Sequence, residues 1–263
     1  MKRSHFLASL AVFLPCLLHA ETPRATKPPE KFVLRGERWT CVVDGDEVSG
    51  ILLKPAGKGP FPAVLISHGK GGSATSFGRQ KAREMVAWGM VCIAPDYTHA
   101  SSAMRGNPQS SSDQGASDKN IRRARACIQI LQSLPEVDPQ RISAYGHSVG
   151  GFVTIGLAAL EPRLIKAAAI TGSGLAPRDG YPAPSVEAAE KILTPFLMLH
   201  GMDDNVVRPE QSEMLKKVLD QQKVPNDRLV ADGQGHPIDQ TMRTEVFKLI
   251  RDWFTQHEVL KKP

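Results

Sequence analysis

The sequence predicts an α/β protein with a mostly parallel central sheet and helices on both faces. Three observations predict it. From about residue 60 onward, short apolar runs alternate with amphipathic stretches at helical spacing, which is how helical crossovers join parallel strands. Several of the apolar runs are continuous and bounded by proline or glycine, as buried strands are. The segments with unusual chemistry fall at the ends of such runs, where open α/β sheets place their ligands.

Taken in order, residues 47–55 (EVSGILLKP) read as one strand of a hairpin, and residues 61–69 (FPAVLISHG) as a buried strand. Residues 76–89 carry helical periodicity and stop at Gly89. Residues 90–97 (MVCIAPDY) form the next buried strand. A polar stretch, 98–117, follows, and loops of that length are usually functional or mobile. Residues 117–134 run as an amphipathic helix capped by Ser117. A strand at 141–146, a helix at 150–160 and a strand at 165–170 come next. The chain closes with a strand at 195–201, a helix at 208–222 with proline at its start, a strand at 227–233 and a helix at 239–257. There is no internal repeat.

A chain of 263 residues suffices for one such domain and is short for two. It begins MKRSHFLASLAVFLPCLLHA, a basic start, an apolar core and a small final residue. Residues 1–20 therefore read as a secretory signal peptide, 21–31 as a proline-rich charged linker, and 32–260 as the folded domain. The expected location is periplasmic or secreted. No other segment is apolar for 18 residues, so no stable membrane anchor is expected after processing.

Net charge is +6, and +4 once Lys2 and Arg3 leave with the signal. No basic run is interleaved with aromatics, so nucleic-acid binding has little support. Loss of Cys16 leaves Cys41, Cys92 and Cys127. All three sit in apolar context and read as buried small hydrophobes, with a Cys92–Cys127 bridge open to them. No spacing suggests a metal site, and no cofactor is expected.

The segment RISAYGHSVGGF (141–152) carries the chemistry. A strand turns sharply into a helix around Ser148, and Gly146 and Gly150 provide clearance and backbone freedom on either side. The helix N-terminus, with free N–H groups and the positive end of its dipole, then faces whatever Ser148 attacks. This is the G-x-S-x-G nucleophile elbow in its strand–turn–helix context. A serine hydroxyl needs a base. Of eight histidines, His5 and His19 lie in the signal, and His147 sits inside the turn, facing away from the position a base would need. His68 and His200 each precede a glycine at a strand end, His99 lies in the polar loop, and His257 lies near the C-terminus. His236, in the glycine-rich loop DGQGHPID after the last strand, stands where the order Ser, acid, His puts the base. The acid should follow the penultimate strand, where Asp203 and Asp204 are both available to orient the imidazole. Oxyanion donors would be the Val149 N–H and one from the loop KGGS after the 61–69 strand, with Lys70 favoured.

Together SHGKGGS (67–73), GHSVGG (146–151), LHGMDDNVVRPEQ (199–211) and GQGHP (233–237) resemble the α/β-hydrolase fold, in particular its dienelactone-hydrolase-like and prolyl-oligopeptidase-like branches. The resemblance covers about residues 40–257. It implies a Ser148–His236–Asp204 triad, because the family's H-G-x-x-D pattern fits His200, Gly201 and Asp204. It also implies an oxyanion hole from the Val149 and Lys70 main chain. Dienelactone hydrolases proper carry a cysteine where Ser148 stands. The implied activity is that of a serine esterase on a small-molecule ester, without cofactor. A peptidase acting on short peptides or acyl-amino acids is the alternative. The stretches 98–117 and 172–194 could shape a pocket, but neither is long enough for a separate lid domain.

Overall fold

The computed structural model describes residues 27–101 and 113–262. The predicted signal, most of the linker and the middle of the polar stretch 98–117 lie outside the described residues. The sheet starts with an antiparallel ribbon, β1 (Val33–Arg35), β2 (Arg38–Val43) and β3 (Asp46–Leu53). The strand read at 47–55 is β3, and its hairpin partner is β2. Six further strands follow: β4 (Phe61–Ser67), β5 (Val91–Pro95), β6 (Val137–His147), β7 (Ala167–Thr171), β8 (Phe196–Gly201) and β9 (Asn226–Ala231). Their order is β1-β2-β3-β5-β4-β6-β7-β8-β9. β3 joins β5 antiparallel, and every pair from β5 to β9 is parallel.

The chain reverses its direction of winding at β4, which has β5 on one side and β6 on the other. A crevice opens at the carboxyl ends of strands at such a point. Helix α1 (Arg79–Val86) and helix α7 (Arg243–Gln256) cover one face of the sheet. Helices α2 (Asp118–Ser133), α3 (Val149–Leu160) and α5 (Pro209–Gln221) cover the other. Two shorter helices among the described residues are α4 (Val186–Ala189) and α6 (Ile238–Thr241).

Alternate residues of the buried strands feed the two layers. Leu65, Ile93, Ala144 and Ile170 face the α2/α3 side, while Val64, Cys92, Tyr145 and Ala169 face the α1/α7 side. Cys92 and Cys127 therefore lie on opposite faces of the sheet and are not paired. Cys41, Cys92 and Cys127 are all buried free thiols. Helix α3 is buried along almost its whole length, which its apolar sequence permits all round.

Three elements depart from the sequence reading in more than a residue or two at an end. The helix read at 76–89 begins as a π-helical turn at Ala74–Gly78, capped by Ser73, before α1. The strand read from 141 starts at Val137, with an irregular register against β4 between Phe61 and Ala63. The helix read at 239–257 breaks at Met242, whose backbone (φ −117, ψ 39) leaves the helical region between α6 and α7.

Candidate active site

Ser148 sits between β6 and α3 with φ 55 and ψ −124. A non-glycine residue there costs roughly 1–3 kcal/mol, so the surroundings must impose the conformation. They do so at both ends of the residue. Ser148 N–H donates to Thr171 O at 2.9 Å. Ser148 O accepts from Gly151 N–H at 2.9 Å, Phe152 N–H at 3.2 Å and Ser173 Oγ at 2.9 Å. The two flanking glycines are required by close approach. A Cβ on Gly146 would lie 2.4 Å from Gly150 O, and one on Gly150 would lie 2.2 Å from Ser67 O.

His236 Nε2 lies 2.8 Å from Ser148 Oγ, and His236 Nδ1 lies 2.7 Å from Asp204 Oδ2. Asp204 follows β8 and is buried, while Asp203 is exposed beside it. The geometry thus brings together Ser148, His236 and Asp204, and leaves Asp203 outside the relay. Asp204 Oδ1 accepts from Val206 N–H and Val207 N–H, both at 2.9 Å. Burial pushes the Asp204 carboxyl up. Hydrogen bonds from His200, His236, Val207 and Val206 outweigh it and hold the group well below the usual carboxylate range. On the same turn Val206 is 65% exposed and Met202 51%, two apolar side chains open to solvent.

The loop after β4 comes up against Ser148: a Cβ on Gly69 would lie 3.2 Å from Ser148 Cβ. Among the described residues, neither Lys70 N–H nor Val149 N–H is taken by another acceptor. Both N–H groups named as oxyanion donors are thus without a main-chain acceptor among the described residues, Val149 directly after Ser148 and Lys70 directly after Gly69.

Sequence reasoning missed what holds these groups. His200 Nε2 lies 2.8 Å from Val207 O and 3.2 Å from Asp204 Oδ2, closing the turn that carries the acid. Tyr97 N–H donates to His68 Nε2 at 3.2 Å, so His68 carries its proton on Nδ1, which donates to Gly69 O at 2.9 Å. His99 Nε2 is 3.0 Å from His68 O, and Gly71 N–H donates to His99 O at 3.0 Å. Burial pushes His68 down and takes His99 down to about 3, so both rings are neutral and pin the 68–72 loop. The signal available was the His-Gly pair at the end of both β4 and β8. His147 has its Nδ1 3.0 Å from Thr171 Oγ1, and its ring lies 5.0 Å from that of His236. Among the described residues no cluster of His, Cys, Asp and Glu could hold a metal ion.

The model of the dienelactone hydrolase family matches residues 48–245. An uncharacterized protein of Mycobacterium tuberculosis is 28% identical over 232 residues, 82% of this chain and 78% of that one. An acylaminoacyl peptidase of Pyrococcus horikoshii superposes with a TM-score of 0.72 at 17% identity, over 89% of this chain and 43% of that one. A propionate-bound thermophilic esterase from the planctomycete Thermogutta terrifontis superposes with a TM-score of 0.67 at 18% identity, over 90% of this chain and 97% of that one. These two structural likenesses show a shared α/β-hydrolase fold.

Proposed function

The chain belongs to the dienelactone hydrolase family and is a hydrolase, and from that premise we propose that it is a serine hydrolase cleaving small or medium carboxylic esters through an acyl-enzyme. One observation carries the reading: a serine at positive φ whose Oγ, at 2.8 Å, completes a relay through His236 to the buried Asp204. Ser148 Oγ attacks the ester carbonyl carbon while His236 Nε2 takes its proton. The Nδ1–H of the resulting imidazolium donates to Asp204, which stays ionised and fixes the productive tautomer. The carbonyl oxygen becomes an oxyanion and accepts from Val149 N–H and Lys70 N–H, each such donor being worth about 10²–10³ in kcat. Collapse breaks the bond to the alkoxy oxygen, which leaves with the proton from His236. Water then enters, gives a proton to His236, attacks the acyl carbon, and the acid departs as Ser148 regains its proton.

The ester preference is supported by the exposed apolar side chains of Met202 and Val206 on the turn that carries Asp204 and by the fold shared with an esterase over 90% of this chain and 97% of that one. The test is direct. A fluorophosphonate should label the wild type at Ser148, and Ser148→Ala should not label. A series of p-nitrophenyl esters should be turned over in preference to aminoacyl anilides. Labelling that persists in Ser148→Ala overturns the assignment, and faster anilide cleavage replaces the esterase with a peptidase.

A further inference from the structure

A polar column that this relay does not use lies behind His236, on the α1/α7 side of the sheet. Lys81 Nζ is 2.6 Å from Asp239 Oδ2, and neither side chain is exposed at all. Lys81 Nζ also donates to the Asp239 carbonyl at 3.1 Å. Tyr145 OH donates to the same Oδ2 at 3.3 Å and lies 3.1 Å from Thr171 Oγ1, the atom that meets His147 Nδ1. Asp239 Oδ1 is buried without a hydrogen bond, 3.5 Å from His147 Nδ1. The His147 ring stacks on Phe77, with centroids 5.8 Å apart, and meets the tilted His236 ring with centroids 5.0 Å apart.

A buried ion pair adds little net stability, because desolvating two charges offsets their attraction. What this one fixes is location. His236 rides on a loop containing Gly233 and Gly235, and Asp239 comes three residues later, in α6. Lys81 belongs to α1, packed on the sheet. One ammonium thus grips both the side chain and the main chain of Asp239 and ties the His236 loop to a helix 158 residues away in sequence.

The charges follow the same logic. The groups facing His147 are Lys81 from α1, Tyr145 from its own strand, Asp239 from α6, His236 from the loop and Asp204 from the β8 turn. Burial takes His147 down to about 4, against the pull of Asp239 and with the push of His236 and Lys81. Lys81 neutralises the carboxylate that would otherwise charge this ring. A neutral ring does not repel the imidazolium that forms on His236.

We propose that Lys81, Asp239 and His147 are positioning residues for His236: the ion pair clamps its loop, and the His147 ring backs its imidazole. The inference rests on His236 serving as base to Ser148, and the experiment separates the two claims. Lys81→Met/Asp239→Asn removes both charges together and leaves no lone buried ion, while His147→Phe keeps a ring against Phe77. Each is assayed on p-nitrophenyl butyrate between about pH 5 and 9 for kcat and KM. Histidine-labelled protein is examined by NMR for the low-field proton of the His236 Nδ1–Asp204 bond. In both variants KM should stay within about twofold, kcat should fall roughly 10- to 100-fold, and the acid limb of the profile should move. The low-field proton should broaden or vanish. Folded variants with wild-type kcat, profile and low-field proton overturn the proposal. Should the double variant not fold, His147→Phe decides alone. A wild type that neither turns over nor labels sinks the hydrolase reading instead. The low-field proton then judges the clamp by itself, and its retention in the variants overturns it.

Discussion

Asp204→Asn tests the relay most sharply, because its effect can be worked from four contacts. Oδ1 takes two main-chain N–H groups, from Val206 and Val207, and an asparagine oxygen can keep both. The new amide nitrogen must then stand where Oδ2 faced His236 Nδ1 at 2.7 Å and His200 Nε2 at 3.2 Å. An NH₂ is a donor, so it drives His236 to expose a bare Nδ1 and carry its proton on Nε2. That proton points at Ser148 Oγ, and the base can no longer accept. The turn survives but the tautomer is wrong, a change that costs about 10⁴ in kcat, or roughly 5 kcal/mol of transition-state stabilisation. Stability is less affected, since the two main-chain bonds remain. Asp203, exposed and outside the relay, serves as the control, and Asp203→Asn should stay within about twofold of wild type. The assay is kcat on one activated ester, with circular dichroism to show that both variants are folded. A folded Asp204→Asn retaining a tenth or more of wild-type kcat refutes the reasoning, and a dead Asp203→Asn beside an active Asp204→Asn moves the acid by one residue.

Gly172→Ala should cut kcat at least about tenfold, because its Cβ would stand 3.2 Å from His236 Nδ1 and 3.3 Å from Asp204 Oδ2 at a residue with φ 53; wild-type kinetics would show that the pair yields without cost. Thermal stability should fall as pH drops from about 6.5 toward 4. Burial holds His147 down to about 4 and His99 down to about 3, so between those values and their unfolded value near 6.5 the unfolded chain takes up protons that the folded one refuses. This contribution is complete above about 6.5, and a Tm that does not change between pH 7 and 4.5 argues against neutral buried rings. His200→Phe should lower kcat about tenfold by freeing the Asp204 turn, with KM little changed; equal kcat would make His200 dispensable. Export is expected with processing after Ala20, so periplasmic protein should have the intact mass of a chain starting at Glu21, and retention of Met1 would count against it.

Much of this arrangement is legible in the sequence because it is local or ordered along the chain. The elbow occupies consecutive residues, and the constraint on Gly146 and Gly150 is the same fact whether read as spacing or as a Cβ that would strike Gly150 O and Ser67 O. The order Ser148, Asp204, His236 follows from strands placed in sequence, so the fold brings them together without any long-range guess. Lys81 and Asp239 are different. In 76–89 the helical pattern marks Lys81 as one more charged residue, and nothing within that helix records a carboxylate 158 residues later. The break at Met242 is hidden for the same reason, since its helix-compatible neighbours carry no proline or glycine signal. The β1–β2 ribbon is short and on the sheet edge, where apolar continuity is weakest.

The partition of the sheet explains why the polar column sits where it does. Along β6, alternate residues on the α1/α7 side run Ser143, Tyr145, His147, and along β7 they run Ala167, Ala169, Thr171. Polarity rises toward the carboxyl ends of both strands, the ends that open into the crevice. On the other side, Ile142 and Ala144 of β6 and Ala168 and Ile170 of β7 stay apolar beneath α2 and α3. A buried polar group is tolerated only with partners, and α1 and the His236 loop bring them to one face alone: Lys81 and Asp239. The apolar face can hold α3, and with it Ser148, by packing. The polar face holds His236 by directed bonds, which specify orientation as well as distance. A serine aimed by backbone strain and a histidine aimed by a hydrogen-bonded column are two solutions to one requirement. The two side chains must meet within a few tenths of an ångström although they arrive from loops 88 residues apart.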